Sequence, residues 1–559
     1  METLKSATEA MRKDCFFGSV DLSEAFYSIS VRPQDRKFFR FIHKGQKYQF
    51  TCLVMGLTTS PRVFTKLLKP VYATLRSQGF ISTAYIDDSC LQGQTYEACL
   101  ENIEKTVTLM DSLGLTIHLE KSVLVPTKQI NFLGFLLCSE TMTIRLTLER
   151  KSTLIELCKN IINKRKCLIR HFAQLIGKLV ASEPGVEYAP LFYIPLEKVK
   201  DKNLRLNKGQ YDKFMKLSSK TKNCINWWIV HTPINYKLVL REEPSLTICS
   251  DASLSGWGAI DITNCVKTGG QWSGDEQRLH INVLELKACE LAIQSLCKHI
   301  SNTHVRIYMD NTTSCSYINK FGGKSENLDL IARSIWIWCI DRKIHLSAAH
   351  LPGSMNCEAD EMSRKFNDDL EWSLTETVFS KIFNTYRHID IDLFASRLNK
   401  KLSKYVTRLP DPDAHAIDAF SLTWKNMLYY IFPPFSLLSK VLQKIEINGT
   451  EAVIVVPVWT TQVWWPSLLR LISGPCYILP SPQKILHLHH KPERKHPLTK
   501  MKLAVFRLSG NPLKAEEYQL QLPTSLSNLG EKLQRNSTIV ILNSGFGSVG
   551  KREILLSPL

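Results

Sequence analysis

Two aspartates stand side by side where a short apolar strand should turn back on itself, in Ala84-Tyr85-Ile86-Asp87-Asp88-Ser89-Cys90-Leu91. A hairpin tip of this kind brings two carboxylates close together, and each opposes ionisation of the other unless a cation lies between them. Upstream, Val20-Asp21-Leu22-Ser23-Glu24-Ala25-Phe26-Tyr27 ends another apolar strand on an acid, where a helix begins. Three aspartates so arranged suit magnesium, which takes a few carboxylates together with phosphate oxygens in octahedral geometry. Two such ions, about 3.5–4 Å apart, stabilise both the attacking and the departing oxygen of a phosphoryl displacement. Paired acids in a turn are more often plain solvated surface. The neighbouring segments decide between the two.

A second set of acids follows the same logic. Ile248-Cys249-Ser250-Asp251-Ala252-Ser253 places an acid on a strand, and Gly256-Trp257-Gly258-Ala259 follows on the next. Asn282-Val283-Leu284-Glu285-Leu286-Lys287-Ala288 opens a helix that presents Glu285, and Val305-Arg306-Ile307-Tyr308-Met309-Asp310-Asn311 is another strand ending in an acid. His350-Leu351-Pro352-Gly353 leads on to Ala359-Asp360-Glu361-Met362-Ser363-Arg364. Acids from two strands and two helical segments can converge over one edge of a sheet, where their repulsion again calls for divalent metal.

Taken in order, the segments resemble a known family. Strand-Asp21, then Leu53-Val54-Met55-Gly56-Leu57-Thr58-Thr59-Ser60-Pro61-Arg62-Val63-Phe64, then Tyr85-Ile86-Asp87-Asp88 look like the palm motifs of reverse transcriptases in sequence. Gly114-Leu115-Thr116 through Lys121, and Phe132-Leu133-Gly134-Phe135, resemble the last two palm motifs. The resemblance implies that Asp21 and Asp87 ligate metal and that Asp88 is the third carboxylate. Phe26 would be the aromatic gate against a ribose 2′-OH, with plain core packing as the alternative. Gly56 would let the backbone approach template and nucleotide closely. Lys121 would assist pyrophosphate departure, or is simply a solvated lysine. Gly134 would lie in the turn that grips the primer. Such enzymes carry finger segments before the first motif, yet only twenty residues precede Asp21. Partial fingers are therefore expected, in a fragment of a longer polyprotein or the product of a truncated frame.

The second set resembles the ribonuclease H attached to retroelement polymerases. Asp251, Glu285, Asp310 and Asp360 match its four metal-binding acids, and His350 falls where a mobile histidine helps products leave, a loop histidine being the alternative. The implied cofactor is Mg²⁺, or Mn²⁺, with two ions per active site. Farther on, Asp390-Ile391-Asp392-Leu393-Phe394-Ala395-Ser396, Pro410-Asp411-Pro412, Asp418-Ala419-Phe420-Ser421, Tyr430-Ile431-Phe432-Pro433-Pro434-Phe435-Ser436 and Val455-Val456-Pro457 before Trp464-Trp465 are similar to tyrosine-recombinase (DIRS-type) retrotransposons. Their order is similar to phage-type adenine methyltransferases, in which an Asn or Asp before Pro-Pro-aromatic holds the target amino group and the aromatic stacks on a flipped base. Phe432 stands in that polar position and accepts no hydrogen bond, so a degenerate methyltransferase-like domain is expected, with Phe435 either a stacking ring or packing.

The expected fold class is α/β and α+β multidomain. Residues 1–145 form a reverse-transcriptase palm with partial fingers, 146–243 a helical thumb or connection, 244–368 a ribonuclease H fold and 385–480 the methyltransferase-like α/β domain. Residues 481–559 read as a basic, then polar, poorly ordered tail, with His487, His489, His490 and His496 in a solvated linker rather than a zinc site. A net charge of +19 over 559 residues favours a polyanionic partner. Phe172, Leu175, Ile176 and Leu179 make an apolar stripe beside Lys164, Lys166 and Arg170, a basic helical face able to ride on phosphates or simply be solvated. The 16 cysteines form no CxxC pair, which fits reduced thiols in the nucleus or cytoplasm. The most apolar runs, around Trp336 and over 453–472, are too short or too interrupted to span a bilayer, so no membrane partner is expected.

The expected function is an RNA-directed DNA polymerase with attached ribonuclease H. Its partners would be an RNA template, a DNA primer, their hybrid and deoxynucleoside triphosphates. None of the 15 histidines has an Arg three positions on, so the recombinase of such an element would be a separate protein. The alternative is a non-catalytic remnant that binds RNA–DNA hybrids.

Overall fold

The computed structural model describes residues 2–366, 371–523, 547–549, 552–554 and 556–559. The chain divides into two compact units, Met1–Glu242 and Glu243–Leu559. Among the described residues no helix is long and apolar enough to cross a membrane.

The first unit starts from strand β1 (Phe16–Asp21), whose Phe17 and Val20 are buried. Helix α1 (Ser60–Ser77) turns Phe64, Leu68, Tyr72 and Leu75 inward at helical spacing. Strands β2 (Ile81–Tyr85) and β3 (Asp88–Gly93) form the expected hairpin. Tyr85 pairs with Asp88, leaving Ile86 and Asp87 as a two-residue loop. Helix α2 (Tyr96–Ser112) is capped by Thr95, whose hydroxyl accepts the Ala98 amide at 3.2 Å, and Gly114 follows it at φ +75°. Its buried face includes Cys99, Ile103, Thr106 and Met110, and Leu100 and Val107 are half-buried. With β4 (Val123–Thr127) the sheet runs β2-β3-β1-β4.

Strands β5 (Gln129–Phe132), β6 (Phe135–Cys138) and β7 (Thr143–Leu146) belong to a second sheet. The Leu133-Gly134 loop between β5 and β6 has positive φ at both residues, +50° and +77°, as a type I′ hairpin requires. Helices α3 (Leu148–Ile162), α4 (Ile169–Ala181), α5 (Ala189–Leu206) and α6 (Ser219–His231) follow, and β8 (Lys237–Leu238) returns to complete the order β8-β7-β6-β5. Phe132, Phe135, Leu137 and Ile144 of the sheet share one core with Phe172, Leu175, Leu179 and Trp228 of the helices. Residues 1–145 and 146–243 are therefore not separate bodies, because the second sheet and the helices pack on that one shared core. The apolar stripe on α4 is buried as expected. The basic residues beside it differ: Lys166 lies on a short strand paired with Phe214–Lys216, and Arg170 forms a bidentate pair with Asp212 at 2.7 and 2.8 Å.

The second unit begins with a mixed five-stranded sheet. Strands β9 (Leu246–Ala252), β10 (Gly256–Asp261) and β11 (Val266–Gln271) are antiparallel. Helix α7 (Ile281–Leu296) crosses to β12 (Thr303–Met309), and β13 (Ile344–His350) follows, both parallel to β9. The order is β11-β10-β9-β12-β13. Helix α8 (Cys357–Arg364) lies against β10.

A six-stranded sheet follows. Strands β14 (Ile391–Asp392), β15 (Leu428–Ile431) and β16 (Glu451–Pro457) are parallel, and β16 then pairs antiparallel with Leu503–Ser509. That last strand sits inside the sheet, with Tyr477–Ile478 on its other side, so the described residues of 481–559 are not an unstructured tail. Leu503, Ala504, Val505, Phe506 and Leu508 are apolar toward both faces, the pattern of a fully covered strand. Ser373–Leu374 pairs with Leu486–His487, and Phe379 and Ile382 share a core with Val453 and Leu503. The domain thus extends beyond 385–480 on both sides. His490 and His496 are buried, and His496 meets Trp372 edge-on at 4.7 Å, so the histidines are not a solvated linker. Residues 524–546 of the expected tail lie outside the described residues.

Gly258 of β10 pairs with Asp251, and α8 packs so closely that a Cβ there would lie 2.6 Å from Met362 Cβ and from the Ser363 amide nitrogen. Gly258→Ala should therefore lower stability by about 1–3 kcal/mol. Gly177→Ala, in open space on α4, should raise it by up to about 1 kcal/mol. Urea unfolding of the two variants checks the contrast.

Candidate active sites

In the first unit, β1 and β3 pair antiparallel so that Asp21 lies directly across from Asp88. Asp87 occupies the exposed hairpin loop. The residue before it, Ile86, has φ +56°, a conformation a β-branched residue adopts only under constraint, at a cost of order 1–3 kcal/mol. Burial pushes the Asp88 carboxyl up to about 6, and the nearby Asp87 and Asp21 push the same way, while Lys121 draws it down. Lys121 is exposed in a turn fastened to β1: the His118 amide donates to the Asp21 carbonyl at 2.8 Å, and the Asp21 amide donates to Ser122 Oγ at 3.0 Å. Phe26 lies in the short 3₁₀ turn Ala25–Ser28, half-buried and edge-on to Phe64 at 5.5 Å. Gly56 is exposed at φ +86° with nothing near the position of a Cβ, so backbone conformation rather than crowding requires glycine there. Gly134 belongs to the β5–β6 turn on the other sheet, beside the Arg150 guanidinium.

In the second unit, Asp251 near the end of β9, Glu285 in the first turns of α7 and Asp310 just past β12 offer oxygens that all lie within 4.8 Å of one another. Among the described residues this is the one group of three or more His, Cys, Asp or Glu side chains so close. Parallel β9 and β12 end on the same side, which is why two acids from segments far apart in sequence meet. Burial pushes Glu285 up to about 9, with Asp251 and Asp310 adding repulsion and the Ala252 amide opposing. Glu285 Oε2 is buried without a hydrogen-bond partner. Burial also raises Asp251 to about 6; the Ser363 hydroxyl, donating to Asp251 Oδ2 at 2.8 Å, lowers it, and Asp310 and Asp360 raise it. A buried, unpartnered oxygen facing two further carboxylates fits a divalent cation, which would remove the repulsion that burial amplifies.

Asp360 stays outside this triad. Its Oδ1 is held by Arg364 one turn later on α8, at 2.6 Å. His350 ends β13 beside Met309 in register, exposed and one strand away from Asp310. Ser363 and Arg364 were missed in the sequence, although both follow Asp360 at helical spacing.

Comparison with known proteins agrees with the geometry of the first unit. Residues 1–137 match the family described as reverse transcriptase (RNA-dependent DNA polymerase). The first unit carries a reverse-transcriptase domain. That domain is of the kind found in retroviral and retrotransposon Pol polyproteins. The chain is 22% identical over 367 residues to the genome polyprotein of Petunia vein clearing virus (isolate Shepherd), covering 63% of this chain and 15% of that polyprotein. It is 27% identical over 126 residues to the retrovirus-related Pol polyprotein from transposon opus of Drosophila melanogaster, covering 22% of this chain and 12% of that one. It is 29% identical over 137 residues to the Pro-Pol polyprotein of simian foamy virus type 3 (strain LK3), covering 24% and 11%. The chain thus spans only about 15% or less of these relatives. The solved foamy viral protease-reverse transcriptase in complex with RNA/DNA hybrid overlays with a TM-score of 0.37 at 16% identity, covering 67% of this chain and 49% of that one.

At the carboxyl ends of β14 and β15, Trp372, Phe394 and Phe432 close in on the buried Asp392 and leave a cavity of about 10 Å³. That volume suits roughly one water. Burial raises Asp392 to about 6, opposed by the Lys401 and Phe394 amides.

Glu285 makes the site of the second unit testable by stability alone. Its carboxyl binds a proton more tightly in the folded chain than unfolded, so the native state is favoured below about 4.5 and loses stability as pH rises toward about 9. One fully linked proton sets the limit at about 1.4 kcal/mol per pH unit. Metal-free Glu285→Gln should therefore melt above the parent chain at pH 8 and match it near pH 4. Added Mg²⁺ should stabilise the parent more than the variant. Calorimetry across pH, with and without metal, reads both effects.

Proposed function

We propose that the chain copies retroelement RNA into DNA and cuts the RNA strand of the resulting hybrid. The meeting of Asp251, Glu285 and Asp310 downstream of a reverse-transcriptase domain carries this reading. Asp21, Asp87 and Asp88 would hold Mg²⁺ in the polymerase site, and Asp251, Glu285 and Asp310, joined by Asp360, would hold Mg²⁺ or Mn²⁺ in the ribonuclease H site. Bound there, the ions would supply Lewis acidity and an activated oxygen nucleophile.

The chain's own residues do the rest. Asp21 and Asp88 fix opposite strands at one register position, so the acceptor site is set by a sheet rather than a loop. Lys121 places a positive charge beside the carboxylates, suited to a departing phosphate. In the second site Ser363 orients Asp251, and the Ala252 amide orients Glu285. Template, primer, hybrid and deoxynucleoside triphosphates are the proposed partners, in keeping with a net charge of +19.

The Asp360–Arg364 pair favours the rival reading, a remnant that binds hybrids without cutting. The Arg364 side chain is exposed and that of Asp360 partly so, 61% and 40%, and such an i,i+4 pair is worth only about 0.3–0.5 kcal/mol. Arg364 therefore yields easily to a metal ion, and the enzyme is the better reading. The Asp390–Ser396 and Tyr430–Ser436 segments support a DIRS-type element with a degenerate methyltransferase-like domain and a separate tyrosine recombinase. Free, mostly buried thiols support a reducing compartment, nucleus or cytoplasm.

With the full chain, Asp310→Asn should abolish metal-dependent cleavage of RNA in a hybrid and leave hybrid binding intact. Asp88→Asn should abolish deoxynucleotide addition on a primed RNA template while sparing the cleavage. Hybrid binding without cutting in either metal would favour the remnant. Phe26→Val should raise ribonucleotide over deoxynucleotide incorporation if the ring is the sugar gate. A changed melting temperature with an unchanged ratio would make Phe26 core only.

A further inference from the structure

The helix that carries Glu285 is gripped beyond both of its ends by the C-terminal part of the second unit. Before α7, Glu276 lies in the turn Glu276–Arg278, with its side chain only 13% exposed. Arg397 reaches it with both terminal nitrogens, Nη1 donating to Oε1 at 3.0 Å and Nη2 to Oε2 at 2.8 Å, and Nη2 also donates to the Gln271 carbonyl at 3.2 Å. Ser273 and Glu276 bind each other reciprocally through amide and side chain, at 2.9 and 3.2 Å. Lys287, two positions after Glu285 on α7, lies 3.8 Å from Glu276 and the same distance from Glu290. Beyond the far end of α7, Lys298 donates to the Ala414 carbonyl, and on the neighbouring β11 Thr268 donates to the Pro410 carbonyl.

We infer that Arg397 is a positioning residue for the nuclease site, setting Glu285 through Glu276, Lys287 and the first turns of α7. The inference rests on the ribonuclease H reading above. The need for such a hold follows from Glu285 itself. Its Oε2 is buried without a hydrogen bond and its carboxylate lies within 4.8 Å of those of Asp251 and Asp310, so of its local contacts only the Ala252 amide holds it where a metal ion requires it. The rest of the hold falls to the helix backbone. Burial alone would raise the Glu276 carboxyl, but Arg397 and Lys287 outweigh it and hold the group below its ordinary range, as expected of an ionised anchor. A planar guanidinium on a carboxylate fixes direction as well as distance, which a flexible ammonium does not. Loss of Arg397 would leave Glu276 buried without its main partner, and the turn leading into α7 would rearrange to hydrate it.

The test uses the full chain and single-turnover cleavage of an RNA–DNA hybrid at increasing Mg²⁺. Supporting residues behind metal ligands typically matter by roughly 10–100-fold. Arg397→Ala should raise the Mg²⁺ concentration for half-maximal cleavage by roughly tenfold and slow the saturated step by a similar factor. Metal-free hybrid affinity should not change. Arg397→Lys should fall between, since it keeps the charge and loses the fork. Cleavage by Arg397→Ala with the parent's metal requirement and rate would overturn the inference. Should that variant not fold, Lys287→Met tests the same link: a smaller shift in the same direction supports it, and an unmoved metal requirement overturns it. A parent chain that never cuts with either metal, or a Glu285→Gln variant that cuts like the parent, would remove the ribonuclease H reading and this inference with it.

Discussion

Repulsion between carboxylates at the ends of strands is the constraint around which both units are organised. In each, acids far apart in sequence are brought within a few ångströms in surroundings that penalise their charge, so that Asp88 and Asp251 rise to about 6 and Glu285 to about 9. A fold gains nothing from such an arrangement by itself. It persists because stronger terms hold the backbone: the six-residue register of β1 on β3, and the parallel pairing of β9 with β12. Local strain at Ile86 belongs to the same account, because the two-residue loop that aims Asp87 forces a positive φ on a β-branched residue.

The two units solve the same problem with different topology. An antiparallel hairpin can place an acid of one strand directly opposite an acid of the next, which is how Asp88 meets Asp21, with Asp87 beside it in the loop. A mixed sheet instead ends two parallel strands at one edge and lays a crossover helix between them, so Asp251, Glu285 and Asp310 come from three elements. The second arrangement yields the tighter cluster and the deeper burial, and it leaves Glu285 dependent on how its helix is seated.

Much of this was legible in the sequence, and the reasons differ from element to element. Strand-end acids stand out, because a charge closing an apolar β-branched run conflicts with the burial that the run itself demands. The β2–β3 hairpin was readable because Asp87-Asp88 interrupt an apolar run, and the Leu133-Gly134 turn through its place in the motif order, although nothing in the sequence pointed to a positive φ at Ile86. The union of residues 1–145 with the helices after them was hidden, since texture changes at 145 while the core does not. The strand Leu503–Ser509 was hidden for another reason. Its position inside a sheet depends on pairing with β16, some fifty residues upstream, and the histidine- and lysine-rich stretch before it outweighed seven apolar-patterned residues. Arg364 and Arg397 show the limit for side chains: the first was within reach of helical spacing, whereas nothing local to Arg397 points to Glu276.

Charge at two length scales explains how such a chain can approach its proposed partner at all. Two clusters of acids would repel a polyanion at contact range, where screening by salt is weakest. The chain as a whole carries +19, so attraction prevails at the distances over which encounter is decided. Near the clusters the balance shifts to individual cations: Lys121 beside Asp88, and Arg364 on Asp360. Lys121 acts on Asp88, and Arg364, hydrogen-bonded to Asp360, also feels the charges of Asp251 and Asp310, so each cation moderates the local field. A divalent ion brought in with a phosphate would complete the inversion of sign, and the carboxylates that repel a bare nucleic acid would then hold it through the metal.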